Sequence, residues 1–156
     1  ACWIFEWFAK SLRGLFYRVK TYNLTTLHPS FPMKLQPDRI DTLSVTGYGP
    51  GWIGISGEKV MRSMVITSLG EQFDWDCANF SELTSAHFAR LADLSVELVI
   101  FGSGAQLRFI QPAWVSPLMQ RGIGMETMDT FAACRTFNIL AGEGRKVAAA
   151  LVVEAP

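Results

Sequence analysis

Histidine is nearly absent from this 156-residue chain, with only His28 and His87, and cysteine is scarce and odd in number: Cys2, Cys77 and Cys134. The three cysteines lie far apart and outside any CxxC spacing, which excludes a disulfide framework and a structural zinc site and fits a reducing compartment. Neither histidine has a Cys, His or carboxylate at the i+3 to i+5 spacing of helical metal sites, so no metal and no other cofactor is expected. An excess of one charge is missing too: Lys+Arg and Asp+Glu both number 14. Ala1 to Lys20 carries four basic residues (Lys10, Arg13, Arg18, Lys20) against Glu6, leaving ten basic and thirteen acidic residues from Thr21 onward, a body of net −3. A body of that sign does not attract phosphate backbones over a broad face, so no nucleic-acid partner is expected. No catalytic triad or complete nucleotide loop is spelled anywhere.

What is present is enough apolar material, 49% of residues, for one self-sufficient core. The first twenty residues place Ile4, Phe8, Leu12, Leu15 and Val19 on one helical face with Lys10 and Arg13 on another, a basic amphipathic pattern. Its apolar run precedes its charges, unlike a secretory signal, and it is too short and too charged to span a bilayer. Thr21 to Pro32 has no period and ends in Pro29 and Pro32. We read residues 1–32 as a poorly ordered N-terminal extension and 33–156 as a single domain beginning near Met33, the competing reading being a targeting or membrane-contact helix.

Extended stretches at Leu43 to Thr46 and Trp52 to Ser56 flank a turn dense in glycine (Gly47, Gly49, Pro50, Gly51), and a second turn at Ser56 to Lys59 leads into a strand over Val60 to Thr67. Together they predict an antiparallel sheet in the first half. Leu69 to Cys77 reads as an irregular acidic link anchored by Phe73 and Trp75. Asn79, three residues before Glu82, predicts a capped helix to about Asp93 with Leu83, Phe88, Leu91 and Leu94 buried and His87 as a structural residue at the border. Val96 to Phe101 reads as a central, doubly covered strand. A helix over Ala113 to Gln120, a strand over Ile123 to Glu126, a helix from Thr130 to about Ala141 with Asp129 or Thr130 as N-cap and Gly142 at its C-terminal turn, and a buried strand over Val147 to Val153 complete the chain.

Two features suggest a site. Gly102, Ser103 and Gly104 follow the central strand, where an α/β sheet places its ligand crevice; they are either a tight structural turn or a loop whose amides approach an anion. The GxGxxG fingerprint fails at Leu107, and no P-loop lysine is present. On the last helix Phe131, Arg135 and Asn138 form one stripe, opposite Ala133, Phe137 and Leu140. Arg135 has two readings: a structural ion pair with Glu126, Asp129 or Glu143, or an anion pocket made with the helix start at Thr130 and the Gly102 to Gly104 loop. Cys134 points to the core and reads as an inert thiol.

Met128, Thr130, Ala133, Arg135, Thr136, Asn138, Leu140, Glu143, Arg145 and the Val147 to Leu151 strand, with the Gly102 to Gly104 loop, resemble the Mth938-like domain family. These are small α/β proteins that include a mitochondrial assembly factor for respiratory complex I. The resemblance covers roughly Arg39 to Glu154, with Phe137 where a Tyr is expected and no Pro after Thr67. It implies an α/β, three-layer fold: a mixed central β-sheet flanked by helices, with an additional N-terminal β element. It implies no reaction. The expectation is a non-enzymatic interaction or assembly protein, cytoplasmic or, in a eukaryote, mitochondrial, whose partner is another protein or a small anionic ligand. The rival expectation is an enzyme or binding protein for a small anionic metabolite, using Gly102, Ser103, Gly104, Thr130, Arg135 and Asn138.

Overall fold

The computed structural model describes residues 43–155. The expected extension over residues 1–32 and the domain start at Met33 lie outside the described residues. Among the described residues, eight strands form two sheets. β1 (Val45–Gly49), β2 (Trp52–Ile55) and β3 (Glu58–Val60) make a small antiparallel sheet. β4 (Met64–Thr67), β5 (Gln72–Asp74), β6 (Leu98–Gly102), β7 (Gly124–Met128) and β8 (Val147–Leu151) make a mixed sheet in the order β5-β4-β8-β6-β7. β4 runs antiparallel to β5 and β8, while β6 runs parallel to β7 and β8.

Three layers follow from how β8 is written. Its run Val147-Ala148-Ala149-Ala150-Leu151 is buried throughout. Ala148 and Ala150 face a cluster with Trp75, Phe88, Phe101 and Leu118, covered by α1 (Ser85–Leu91) and α2 (Pro112–Gln120). Val147, Ala149 and Leu151 face Ala133, Cys134 and Phe137 of α3 (Thr130–Gly142), together with Val45, Ile53, Ile55 and Val60 of the small sheet. Alternation about a pleated strand thus feeds two cores at once, and alanines leave room for the rings on the first side. No helix among the described residues is long and apolar enough to cross a membrane.

Five expectations need correction. The strand expected over Val60 to Thr67 is two strands in two sheets; between them Ser63 is fixed to the main sheet, its carbonyl accepting from Trp75 N (3.0 Å) and its Oγ from Val153 N (3.1 Å). A period of two records burial but not which sheet the chain is joining. The link after Leu69 contains β5, a short, charged edge strand of the kind that carries little apolar signal. The helix expected from Asn79 to Asp93 is interrupted: Asn79 caps a single 3-10 turn, Phe80–Glu82, Leu83 is extended (ψ 140°), and Thr84 with His87 caps α1 anew through a reciprocal capping box. The last helix is closed by Gly144 (φ 78°), not Gly142, because the amides of Gly144 and Arg145 return to the carbonyls of Ala141 and Leu140. The strand expected at the middle of the sheet, β6, is interior, but β8 holds the centre.

Candidate functional site

β6 has β7 on one side and β8 on the other, with α2 and α3 carrying the chain across opposite faces, so its C-terminal end is a topological switch point. Gly102, Ser103 and Gly104 stand there, and the structure fills the crevice with protein. Thr130, the first residue of α3, donates its hydroxyl to Val152 O (2.7 Å) and accepts from Gly104 N (2.9 Å), while Thr130 N donates to Gly104 O (2.8 Å). Ser103 N donates to Met128 O, and the buried Ser103 hydroxyl lies between the carbonyls of Gln106 and Met128 and accepts from Arg108 N. A Cβ on Gly102 would sit 3.0 Å from Thr130 Cα, so this glycine lets helix and strand touch. The Ser103 and Gly104 amides that an anion would need are already engaged.

The cation at this loop is Arg108, which the sequence reading passed over. Its Nε donates to Ser103 O (2.9 Å), its Nη2 meets Glu154 Oε1 at 2.7 Å, and its guanidinium lies 4.6 Å from the centre of the Phe80 ring. Gly104 has φ 99°, and a Cβ there would run into both Arg108 and Glu154. Burial alone would raise the Glu154 pKa, but the Phe80 amide and Arg108 outweigh it and hold the carboxyl below its ordinary value. No local spacing links positions 80, 108 and 154; only the fold does.

The stripe on α3 faces β1. Asn138 makes two bonds to one residue, accepting from Val45 N (2.9 Å) and donating to Val45 O (2.7 Å), as a neighbouring strand would. Phe131 stacks on Tyr48 with ring centres 5.1 Å apart, and Arg135 Nη1 donates to the Tyr48 hydroxyl (3.0 Å). The carboxylate expected to pair with Arg135 is not its partner: the Tyr48 hydroxyl is, and Arg135 stays exposed. That bond pushes its pKa up. Asn138 therefore clamps the small sheet, while Tyr48, Phe131 and Arg135 form a ridge along its outer side.

Between the β1–β2 turn and α3 lies a cleft of about 130 Å³, walled by Gly49 to Ile53, Gly104, Thr130, Phe131 and Val152 to Ala155. It gathers Gly104 and Thr130 but not Arg135 or Asn138. Its volume is below the few hundred Å³ of common small-molecule sites. Cys134 is fully buried on the other side of α3, and burial pushes its pKa up to about 12, which leaves no thiolate for chemistry. Among the described residues no group of three or more His, Cys, Asp or Glu side chains converges as a metal site would require.

The family model described as protein of unknown function (DUF498/DUF598) matches residues 45–152, the span from β1 to the end of β8. The chain belongs to this family. It is 28% identical over 120 residues to human NADH dehydrogenase (ubiquinone) 1 alpha subcomplex assembly factor 3, covering 76% of this chain and 65% of that protein. It is 31% identical over 117 residues to an uncharacterized protein of Rhodobacter capsulatus, covering 75% of this chain and 90% of that one. The chain spans only 44% of the bovine and 65% of the human assembly factor. Among solved structures, a Bordetella parapertussis protein matches with a TM-score of 0.68 at 32% identity, over 72% of this chain and 97% of that one. A Mth938-like domain of Bordetella pertussis matches at 0.64 and 28%, over 72% and 87%. The three-layer arrangement is that of the Mth938-like domain.

Proposed function

We propose that this Mth938-like domain works as a non-enzymatic interaction protein in the assembly of a larger complex, with the Tyr48–Phe131–Arg135 ridge as a contact surface. The observation that carries the reading is Arg135: a charged guanidinium on the solvent side of α3, held by the Tyr48 hydroxyl and, among the described residues, by no carboxylate, beside a stacked aromatic pair. Tyr and Arg on a rigid scaffold are the residue types that dominate binding energy at protein interfaces. Kinship with proteins named for NADH dehydrogenase assembly supports a respiratory complex as the assembly concerned, with a mitochondrial place for a eukaryotic chain and a cytoplasmic one for a bacterial chain as part of the proposal. Deleting the gene from its own organism and running membrane extracts on native gels tests this. Loss of assembled NADH dehydrogenase, restored by the unaltered chain but poorly by Arg135→Ala, is expected; an unchanged level of complex sinks it.

The rival reading, a small anionic metabolite at Gly102 to Gly104 and Arg135, has less support, since the amides are engaged and the arginine lies off the cleft. Titrating the labelled chain with inorganic phosphate and nucleotides should leave the Gly104 and Thr130 to Arg135 amide resonances in place. Saturable shifts confined to them would reinstate the metabolite.

A further inference from the structure

The cleft beside α3 is walled by apolar side chains: Pro50, Trp52 and Ile53 from the β1–β2 turn and β2, Phe131 from α3, and Val152 and Val153 after β8. Glycines seat the Trp52 wall, because a Cβ on Gly47 or Gly49 would stand 3.3 or 2.5 Å from the indole. Two polar groups of the lining, the Thr130 hydroxyl and the Gly104 amide, bond each other, and the Glu154 carboxylate is matched by Arg108. Walls of this kind suit an apolar occupant. The volume, about 130 Å³, is close to the ~150 Å³ of an apolar cavity that admits one benzene ring. That is room for one side chain the size of leucine or phenylalanine.

The rim adds charge of one sign. Phe131 belongs to both the cleft and the ridge, and Arg135 stands four residues on, about 6 Å further along the helix axis. At the Trp52 wall, Lys59 Nζ lies 5.0 Å from the centre of the ring. Among the described residues neither cation has a carboxylate partner. Asp129, whose charge reaches Arg135, is bonded to the Ala132 amide at 2.8 Å. We infer that cleft and ridge together take an acidic segment of a partner protein, with one apolar side chain seated in the cleft and a carboxylate on Arg135. Arg135 lies off the cleft, so its anion has to be tethered to the group inside, and a peptide backbone is such a tether. In an extended chain, side chains two residues apart share a face at about 6.7 Å, which matches the step from Phe131 to Arg135. The partner's signature is leucine or phenylalanine with an acidic residue two positions away. The seated side chain anchors the contact, and the exposed ion pair selects and orients it.

The inference rests on the ridge as a contact surface and adds the chemistry of what meets it. The test is an NMR titration of the labelled full chain with a blocked pentapeptide, glycyl-leucyl-seryl-glutamyl-glycine amide. Two control peptides carry serine for the leucine or glutamine for the glutamate. Saturable shifts are expected at the Trp52 indole N–H and the Phe131 to Arg135 amides, with nuclear Overhauser contacts from the leucine methyls to the Trp52 and Phe131 rings. The serine control should bind about 10-fold more weakly, having lost the buried side chain. The glutamine control should bind about threefold more weakly, the loss of one exposed ion pair. Arg135→Ala, at an exposed position, should weaken the parent peptide by the same factor and leave the glutamine control unchanged. No saturable shift at millimolar peptide overturns the inference. Equal binding of the serine control does so too, as does an Arg135→Ala effect that persists with the glutamine control. Those outcomes leave the assembly reading standing, because it is decided by the level of assembled NADH dehydrogenase in the deletion strain.

Discussion

On one face of the main sheet α1 and α2 cover Trp75, Phe88 and Phe101, whose rings meet edge to face at 5.5–5.8 Å. On the other, α3 and the small sheet cover aliphatic residues and Phe137, and the joints between elements are polar: Asn138 to Val45, and Thr130 to Gly104 and Val152. The first side is held by shape and hydrophobic burial, and Trp75 Nε1 sits there with no hydrogen-bond partner among the described residues. The second is held by directed bonds that fix positions as well as distances. The Tyr48–Phe131–Arg135 ridge is anchored by those directed bonds, not by the aromatic cluster.

The largest expected effect separates stability from surface geometry. Phe101→Ala removes the ring that Trp75, Phe80 and Phe88 all touch and should cost about 3–5 kcal/mol in urea unfolding. In the folded fraction, however, the amide resonances of Tyr48 and Arg135 should stay where they are. Movement of those resonances would mean the two sides are mechanically coupled and the comparison fails.

Thr130→Val keeps the shape of a buried side chain while removing the hydroxyl that joins Gly104 N to Val152 O. The expected loss is about 1–3 kcal/mol, because two buried backbone groups lose their partner. The more telling readout is local: exchange protection at Gly104 should fall while that of β8 is kept. A cost below about 0.5 kcal/mol would place Thr130 among ordinary surface positions and remove the distinction drawn between the two faces.

The same contrast explains what the sequence disclosed. The aromatic side was legible because burial leaves a pattern: Phe88 and Leu91 on one helical face, and the apolar runs of β6 and β8. The stripe Phe131, Arg135 and Asn138 was legible as a stripe for the same reason. What it faced was not, since Val45 is 93 residues from Asn138 and Tyr48 is 87 from Arg135. Glu126, Asp129 and Glu143 lie close to Arg135 in sequence, but the partner it takes is the phenol of Tyr48 across the fold. The Gly102 to Gly104 turn was found at the right place in the sheet, but a glycine required by Thr130 Cα and one required by Arg108 read the same as glycines that admit a phosphate. Arg108 itself carries no sequence signal, because its role is set by Phe80 and Glu154 from distant parts of the chain.

The smallest expected effect concerns pH and again belongs to the polar side. Glu154 has a folded pKa below its unfolded one, so the unfolded chain binds more protons in acid and stability rises with pH. The contribution is complete above the unfolded pKa, about 4.3, and is lost as pH falls through the folded value. Measured from about pH 6 down to about pH 3, the urea midpoint of the parent chain should therefore fall more steeply than that of Glu154→Gln, which can still accept from the Phe80 amide but cannot titrate. Because Glu154 also balances Arg108, the acid range should loosen the loop around Arg108 before it touches Phe88 and Phe101: amide exchange at Gly104 and Arg108 should rise at a pH where Phe88 and Phe101 remain protected. Simultaneous loss of protection on both faces would show instead that one cooperative unit spans the sheet, and that the polar joints add position without a separate stability of their own.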